Sequence, residues 1–380
     1  MKYQAVVDHN PQPFRRDTRI DVFRSLALLT IFINHIPGTL YEHITHKNFG
    51  FSDSAEIFVL LSGISLGLSF HGRLEQKPFA FIIRKYWQRA FQLYGAYLLT
   101  TFVTLSLFLG AFFLWQTEKL LAINNVGLFF TEPVIAFLST LSLGHQLGYN
   151  NILPLYVVLM FFAPFILYLS CKQTKCLLWG SFILYLVCGL YQIAPPSYPI
   201  EGKWFLNPFS WQFLFVIGLT STLALKQGKT IAFQSFWLVC AVGYLLLALL
   251  WVRLNWWSIL GWLGWSSPLI NFNKTFLSLP RLLHVLALSF LIVCLPRVNK
   301  WFYVSEQHPL AILGKHPLPV FVTGTIFAMF GQIVKIVMTG TFFSDSLLII
   351  TGIVLQFGVA YYYEKRQSLQ RAFSRKLIRL

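Results

Sequence analysis

Long apolar stretches broken by short polar connections set the rhythm of this chain from end to end. Ten such stretches stand near 20–36, 55–71, 90–114, 152–170, 176–193, 211–225, 236–254, 281–296, 318–338 and 346–363. An α-helix needs roughly 17 to 25 apolar residues to cross the hydrocarbon of a bilayer, and these stretches approach or reach that length. The pattern predicts an all-α protein, a polytopic bundle of about ten transmembrane helices. Segment 127–145, interrupted by "TEP" and "GHQ", reads as a half-inserted or interfacial helix instead. No internal repeat points to a transporter built from two halves.

Composition sharpens this picture. Of 380 residues 56% are hydrophobic and only 11% charged, against about 25% charged in ordinary globular chains. The net charge of +17 sits at the ends of apolar runs and not on an amphipathic face, so nucleic acid is not an expected partner; the lipid bilayer is. Most of the 30 lysines and arginines fall on one side of the predicted membrane, which puts both termini in the cytoplasm. The expected organisation is a cytoplasmic N-terminal tail at 1–19, one transmembrane domain at 20–363 and a basic cytoplasmic tail at 364–380. No small-residue cleavage site follows the first apolar run, so residues 1–19 read as a tail and not a signal peptide. Five cysteines form no CxxC pair, so neither a disulfide framework nor a zinc site is indicated. A GxxxxGK[ST] phosphate loop is missing, which disfavours an ATP-driven pump.

Chemistry concentrates in "NHIPGTLYEHITHKNFGFSDSAE", the outer connection between the first two spans. Asp53 with Glu56 three residues on matches a capping box, and His35 before Pro37 can satisfy the carbonyls that end a helix. The functional reading is that consecutive spans bring His35 opposite Asp53 and Glu56. A carboxylate would then orient the imidazole of a general base and stabilise its protonated form. Asn34 beside it is a candidate substrate contact.

Arg24 lies eleven residues before His35, about 16 Å along a helix. It reads either as the partner of Asp21 or as an anion clamp near the inner surface, helped by Arg84, Lys85 and Arg89. His145, Gln146, Asn150 and Asn151 in "SLGHQLGYNNILPLY" suit interfacial capping or substrate binding. Trp204, Asn207, Trp211 and Gln212 in "WFLNPFSWQF" suit an interfacial helix start or a sugar-binding surface. Trp251, Trp256, Trp257, Trp262 and Trp265 read as an aromatic belt. Arg281 and His284, one turn apart in "PRLLH", could anchor a helix to headgroups or meet a substrate. His316 in "LGKHPLPV" reads as the residue that starts a helix, with an anion contact as the alternative.

"RIDVFRSLALLTIFINHIPG" followed by "THKNFGFSDSAEIFVLLSG" resembles the OpgC family of bacterial membrane proteins. The resemblance continues through "LGHQLGYNNILPLYVVL", "WFLNPFSWQFLFVIG", "LPRLLHVLALSFLI" and "LGKHPLPVF". It implies an inner-membrane O-acyltransferase akin to the wider class that takes a cytoplasmic acyl-CoA, here succinyl-CoA or acetyl-CoA, as donor. The acceptor it implies is a hydroxyl of an osmoregulated periplasmic glucan or other surface glycan, with a periplasmic acceptor protein as a further expected partner. Arg24 and His35 match the Arg and His of that class, while Ser25 stands where glycine is usual. On this reading Arg24, Arg84, Lys85 and Arg89 meet the phosphates of the donor and Arg281 holds an acyl carboxylate. No permanently bound cofactor and no metal are expected. The competing reading from the residues alone is a proton-coupled transporter or flippase, with His35, Asp53 and Glu56 as a proton relay.

Overall fold

Each of the ten apolar stretches contains a helix. The structure, a computed structural model, describes residues 16–70, 77–199, 202–229, 235–259, 267–338 and 340–378. Most of the expected N-terminal tail, together with Trp262 and Trp265, lies outside them. Its principal helices are α1 (Thr18–Asn34), α2 (Ser54–Phe70) and α3 (Phe79–Trp115). Three short helices follow: α4 (Lys119–Ala122), α5 (Leu128–Thr131) and α6 (Pro133–Leu141). Then come α7 (Ile152–Lys172), α8 (Thr174–Leu190), α9 (Pro208–Lys226), α10 (Ser235–Arg253) and α11 (Leu279–Cys294). The chain closes with α12 (Pro296–Trp301), α13 (Pro309–Lys315), α14 (Pro317–Val337) and α15 (Phe342–Ile378).

Among the described residues six helical runs are long and apolar enough to cross a membrane. They are α3, residues 148–172 containing α7, α9, α10, α14 and the Phe342–Arg371 part of α15. Helices α2, α8 and α11 are apolar but shorter. This is a multi-pass membrane protein. Helix α10 leaves Phe236, Trp237, Val239 and Leu246 exposed, the apolar outer surface that a membrane-spanning helix requires.

Two boundaries differ from expectation. Helix α3 starts at Phe79, directly after Pro78, and not near 90. Its buried positions Ile82, Tyr86, Ala90, Leu93 and Tyr97 keep helical spacing from the first turn. Arg84, Lys85 and Arg89 therefore ride on a helix and not in a connection. The second difference is that residues 364–378, expected as a tail, continue α15.

Small residues set the tightest crossings. A Cβ on Gly63 of α2 would lie 2.1 Å from the Phe215 carbonyl oxygen of α9, and one on Gly218 would lie 2.5 Å from the Leu60 oxygen. Close backbone approach of this kind is how helices associate in lipid, where burial of apolar surface drives nothing. Helix α1 is approached in the same way: Gly314 of α13 leaves no room for a Cβ beside the Asp21 carbonyl. The close packing on α1 thus comes from its partner, and Ser25, fully buried, bonds back to the Val22 carbonyl at 2.8 Å.

Candidate functional site

Helix α1 begins at one end of the bundle and runs to the 35–53 connection at the other. The connection is tied down by its aromatic side chains. Phe51 is buried among Tyr244, Trp251, Trp257, Phe272 and His284, with ring centroids 4.6 to 6.4 Å away. Trp251 and Trp257 are thus packing partners of the connection and not only belt residues.

At this end Asp53 and Glu56 form a reciprocal cap on α2. The Asp53 N–H donates to Glu56 Oε2 at 2.9 Å, and the Ala55 N–H donates to Asp53 Oδ1 at 2.8 Å. Their other oxygens meet two cations. Arg281 Nε donates to Glu56 Oε1 at 2.7 Å, its Nη2 donates to Asp53 Oδ2 at 3.2 Å, and Lys274 also pairs with Asp53. The result is a charge-balanced quartet. Glu56 is wholly buried, whereas the Lys274 and Asp53 side chains are 24% and 20% exposed, so the quartet opens on that edge. Burial opposes ionisation of Asp53, but Lys274, Arg281 and the Ala55 N–H hold its carboxyl well below the usual range.

This arrangement corrects the expected dyad. Neither carboxylate is hydrogen-bonded to His35, whose Nδ1 is buried without a partner. Ion pairing wins because Arg281 and Lys274 enter from elements distant in sequence and satisfy both carboxylates. Lys274 and Asp53 still act on the His35 ring electrostatically. Arg281, expected to grip an acyl carboxylate, has its fork committed to Glu56 and Asp53.

The other expected substrate contacts are largely used inside the fold. Asn34 Oδ1 accepts from the Thr45 hydroxyl at 2.8 Å. Asn207 caps α9 by accepting from the Phe209 N–H, and donates to the Ile193 carbonyl at 2.8 Å. Gln212 joins α9 to α8 through Ser181. Trp211 is buried and donates from Nε1 to the Lys274 carbonyl at 3.0 Å, so it fixes the turn that presents that lysine. His145 is buried, its backbone carbonyl accepting from the Tyr97 hydroxyl at 2.7 Å while both ring nitrogens are without a hydrogen-bond partner among the described residues, and Gln146 bonds back to the Leu143 carbonyl. His284 Nδ1 lies 2.7 Å from the Ser52 hydroxyl, its ring seated where only a glycine, Gly50, leaves room.

Toward the other end lies a cavity of about 380 Å³. Arg24, Arg89 and Lys315 line it together with Ser62, Ser65, Ser69, Tyr86 and Tyr156. Arg24 donates to Asp21 Oδ1 and to the Gly314 carbonyl, both at 3.0 Å, and to Ser65. Lys315 donates to Glu364 at 2.6 Å, and His316 Nε2 lies 2.9 Å from the same carboxylate. Among the described residues Arg89 is bonded to a neutral group, Gln92. The lining includes Ile152 and Leu153 at the start of α7; Tyr149, three residues before Ile152, has its ring 4.5 Å from that of His35. Of the four expected donor contacts, Arg24 and Arg89 share this cavity. Arg84 is exposed on a separate shallow surface with Trp87, and Lys85 is exposed with its ammonium 5.7 Å from the Tyr86 ring.

Lys274, Lys315 and Tyr149 are the residues sequence reasoning left out of the site. Lys315 sits in a stretch already singled out for His316, and Lys274 in an outer segment rich in asparagine and tryptophan. Nothing in either stretch marks which cation is aimed inward. A family model described as OpgC protein matches residues 16–368, nearly the whole chain. Searches of the curated proteins and of the solved structures returned no match.

Proposed function

The chain belongs to the OpgC family, and from that premise we propose that it is an inner-membrane O-acyltransferase. It moves an acyl group, succinyl being favoured by the family, from cytoplasmic acyl-CoA to a hydroxyl of a periplasmic glycan. The observation that carries this reading is the cavity. Three basic side chains and a set of hydroxyls stand in it among apolar residues such as Phe58, Leu66, Leu93 and Phe321, a lining that suits an anionic group carried on a long neutral arm.

In the proposed reaction His35 takes the proton of the glycan hydroxyl as the oxygen attacks the thioester carbonyl carbon. The carbon–sulfur bond then breaks, and the proton held by His35 passes to the leaving thiolate, giving an ester and free CoA. General base catalysis of this kind contributes roughly two to four orders of magnitude. Lys274, at the open edge of the quartet, supplies positive charge for the oxyanion that forms. Such preorganised charge is commonly the largest electrostatic contribution in acyl transfer. Asp53 and Glu56 hold Lys274 and Arg281 in place.

The test is mass spectrometry of periplasmic and surface glycans from a deletion strain, with and without the restored gene. An acyl mass that returns with the gene supports the reading. No acyl mass in either strain, with the protein demonstrably made, refutes it.

A further inference from the structure

A general-base histidine is usually oriented by a carboxylate on its second ring nitrogen. His35 has none: Nδ1 is buried without a partner, and the nearby carboxylates are bonded elsewhere. We propose that Gln332 is the positioning residue of His35, acting with Asn124 and Tyr149 in place of that carboxylate. The inference rests on the reading of His35 as the base.

His35 caps the C-terminus of α1, so its carbonyl is among those left without an intrahelical partner. Gln332 of α14 fills that need, donating from Nε2 to the His35 oxygen at 2.6 Å. Its own Oε1 accepts from Asn124 Nδ2 at 2.8 Å. With both ends of the amide engaged and the side chain only 4% exposed, Gln332 has one orientation. Asn124 is itself presented under strain, at φ +61° in the left-handed region. It rests on Gly148, where a Cβ would come within 2.3 Å of Asn124 Oδ1. The next residue, Tyr149, lays its ring on the imidazole with 4.5 Å between centroids and 30° between planes. One turn therefore holds His35 twice, by the backbone through Asn124 and Gln332 and by the ring through Tyr149.

A buried glutamine that only satisfied a helix end would affect folding and nothing else. A positioning role makes the environment of the imidazole depend on it. The test uses the purified full chain in lipid nanodiscs, treated with diethyl pyrocarbonate across pH, with modification of each histidine followed by peptide mass spectrometry. His43, which is exposed, serves as the internal reference. Gln332→Met removes both polar contacts at nearly constant length, Tyr149→Leu removes the ring, and Tyr149→Phe keeps it. In Gln332→Met and Tyr149→Leu the His35 profile is expected to move toward that of His43. Acyl transfer should fall about 10²-fold, the scale set by a misplacement of roughly 1 Å, with donor KM unchanged. Tyr149→Phe is expected to match wild type in both readouts. A folded Gln332→Met with a wild-type His35 profile overturns the proposal. Should Gln332→Met not fold, equal His35 profiles in Tyr149→Leu and Tyr149→Phe overturn it instead. If wild type transfers no acyl group, the function falls, while the His35 profiles still decide the positioning.

Discussion

The two ends of the bundle use the same kinds of side chain to opposite effect. At the connection end Asp53 and Glu56 face Arg281 and Lys274, and the charges cancel. Around the cavity three cations, Arg24, Arg89 and Lys315, meet two carboxylates, Asp21 and Glu364, and among the described residues Arg89 is bonded to an amide. A cancelled cluster fixes geometry; a cation surplus beside a cavity attracts an anion. The difference separates the part of the site that shapes from the part that binds.

Breaking the quartet should have the largest effect. Glu56→Gln leaves the buried quartet with one net positive charge, Arg281 keeping only the Asp53 carboxylate that it shares with Lys274, and removing one partner of a buried ion pair typically destabilises by about 3–5 kcal/mol. Thermal unfolding in detergent should show it as a lowered midpoint, and an unchanged midpoint would remove the structural role assigned to the quartet. Charge removal at the cavity should act on binding and not on folding. Arg89→Gln is expected to weaken acyl-CoA binding about tenfold, the loss of one charge-assisted hydrogen bond. Arg84→Gln, on the separate exposed surface, should leave binding unchanged. Calorimetric titration distinguishes the two, and equal losses would dissolve the contrast between cavity and surface.

The smallest effect concerns His46 in the connection. Burial lowers its pKa from the ordinary 6.5, with Asp53 opposing the shift and Arg281 adding to it. A histidine with a depressed folded pKa stabilises the fold above the unfolded value, and this contribution is lost as pH falls. The melting midpoint should therefore decline on acidification below about pH 6.5, and His46→Gln should flatten that slope.

Much of this was legible in the sequence. Hydrophobic period and length place a helix in each of the ten stretches, although among the described residues six are long and apolar enough to cross a membrane, and the Asp53–Glu56 spacing marks the cap. What stayed hidden was pairing across distance. Glu56 meets Arg281 and Asp53 meets Lys274 across more than two hundred residues, and no local pattern encodes which cation arrives. For the same reason the sequence alone pairs the carboxylates with His35, because consecutive spans bring the end of one and the start of the next to the same depth. Trp211 and Asn207 looked like a sugar surface because caps and turn anchors draw on the same amides and aromatics. The start of α3 was missed because arginines and lysines interrupt its apolar signal, although Ile82 and Tyr86 already keep helical period.

The central claim is that His35 takes the proton of the acceptor hydroxyl. It is tested most directly with purified wild type and His35→Gln in lipid vesicles, following acceptor-dependent release of free CoA from acyl-CoA. The account expects His35→Gln to fold and bind acyl-CoA as wild type does, while release falls by roughly two to four orders of magnitude. Release at the wild-type rate in a folded His35→Gln would contradict it.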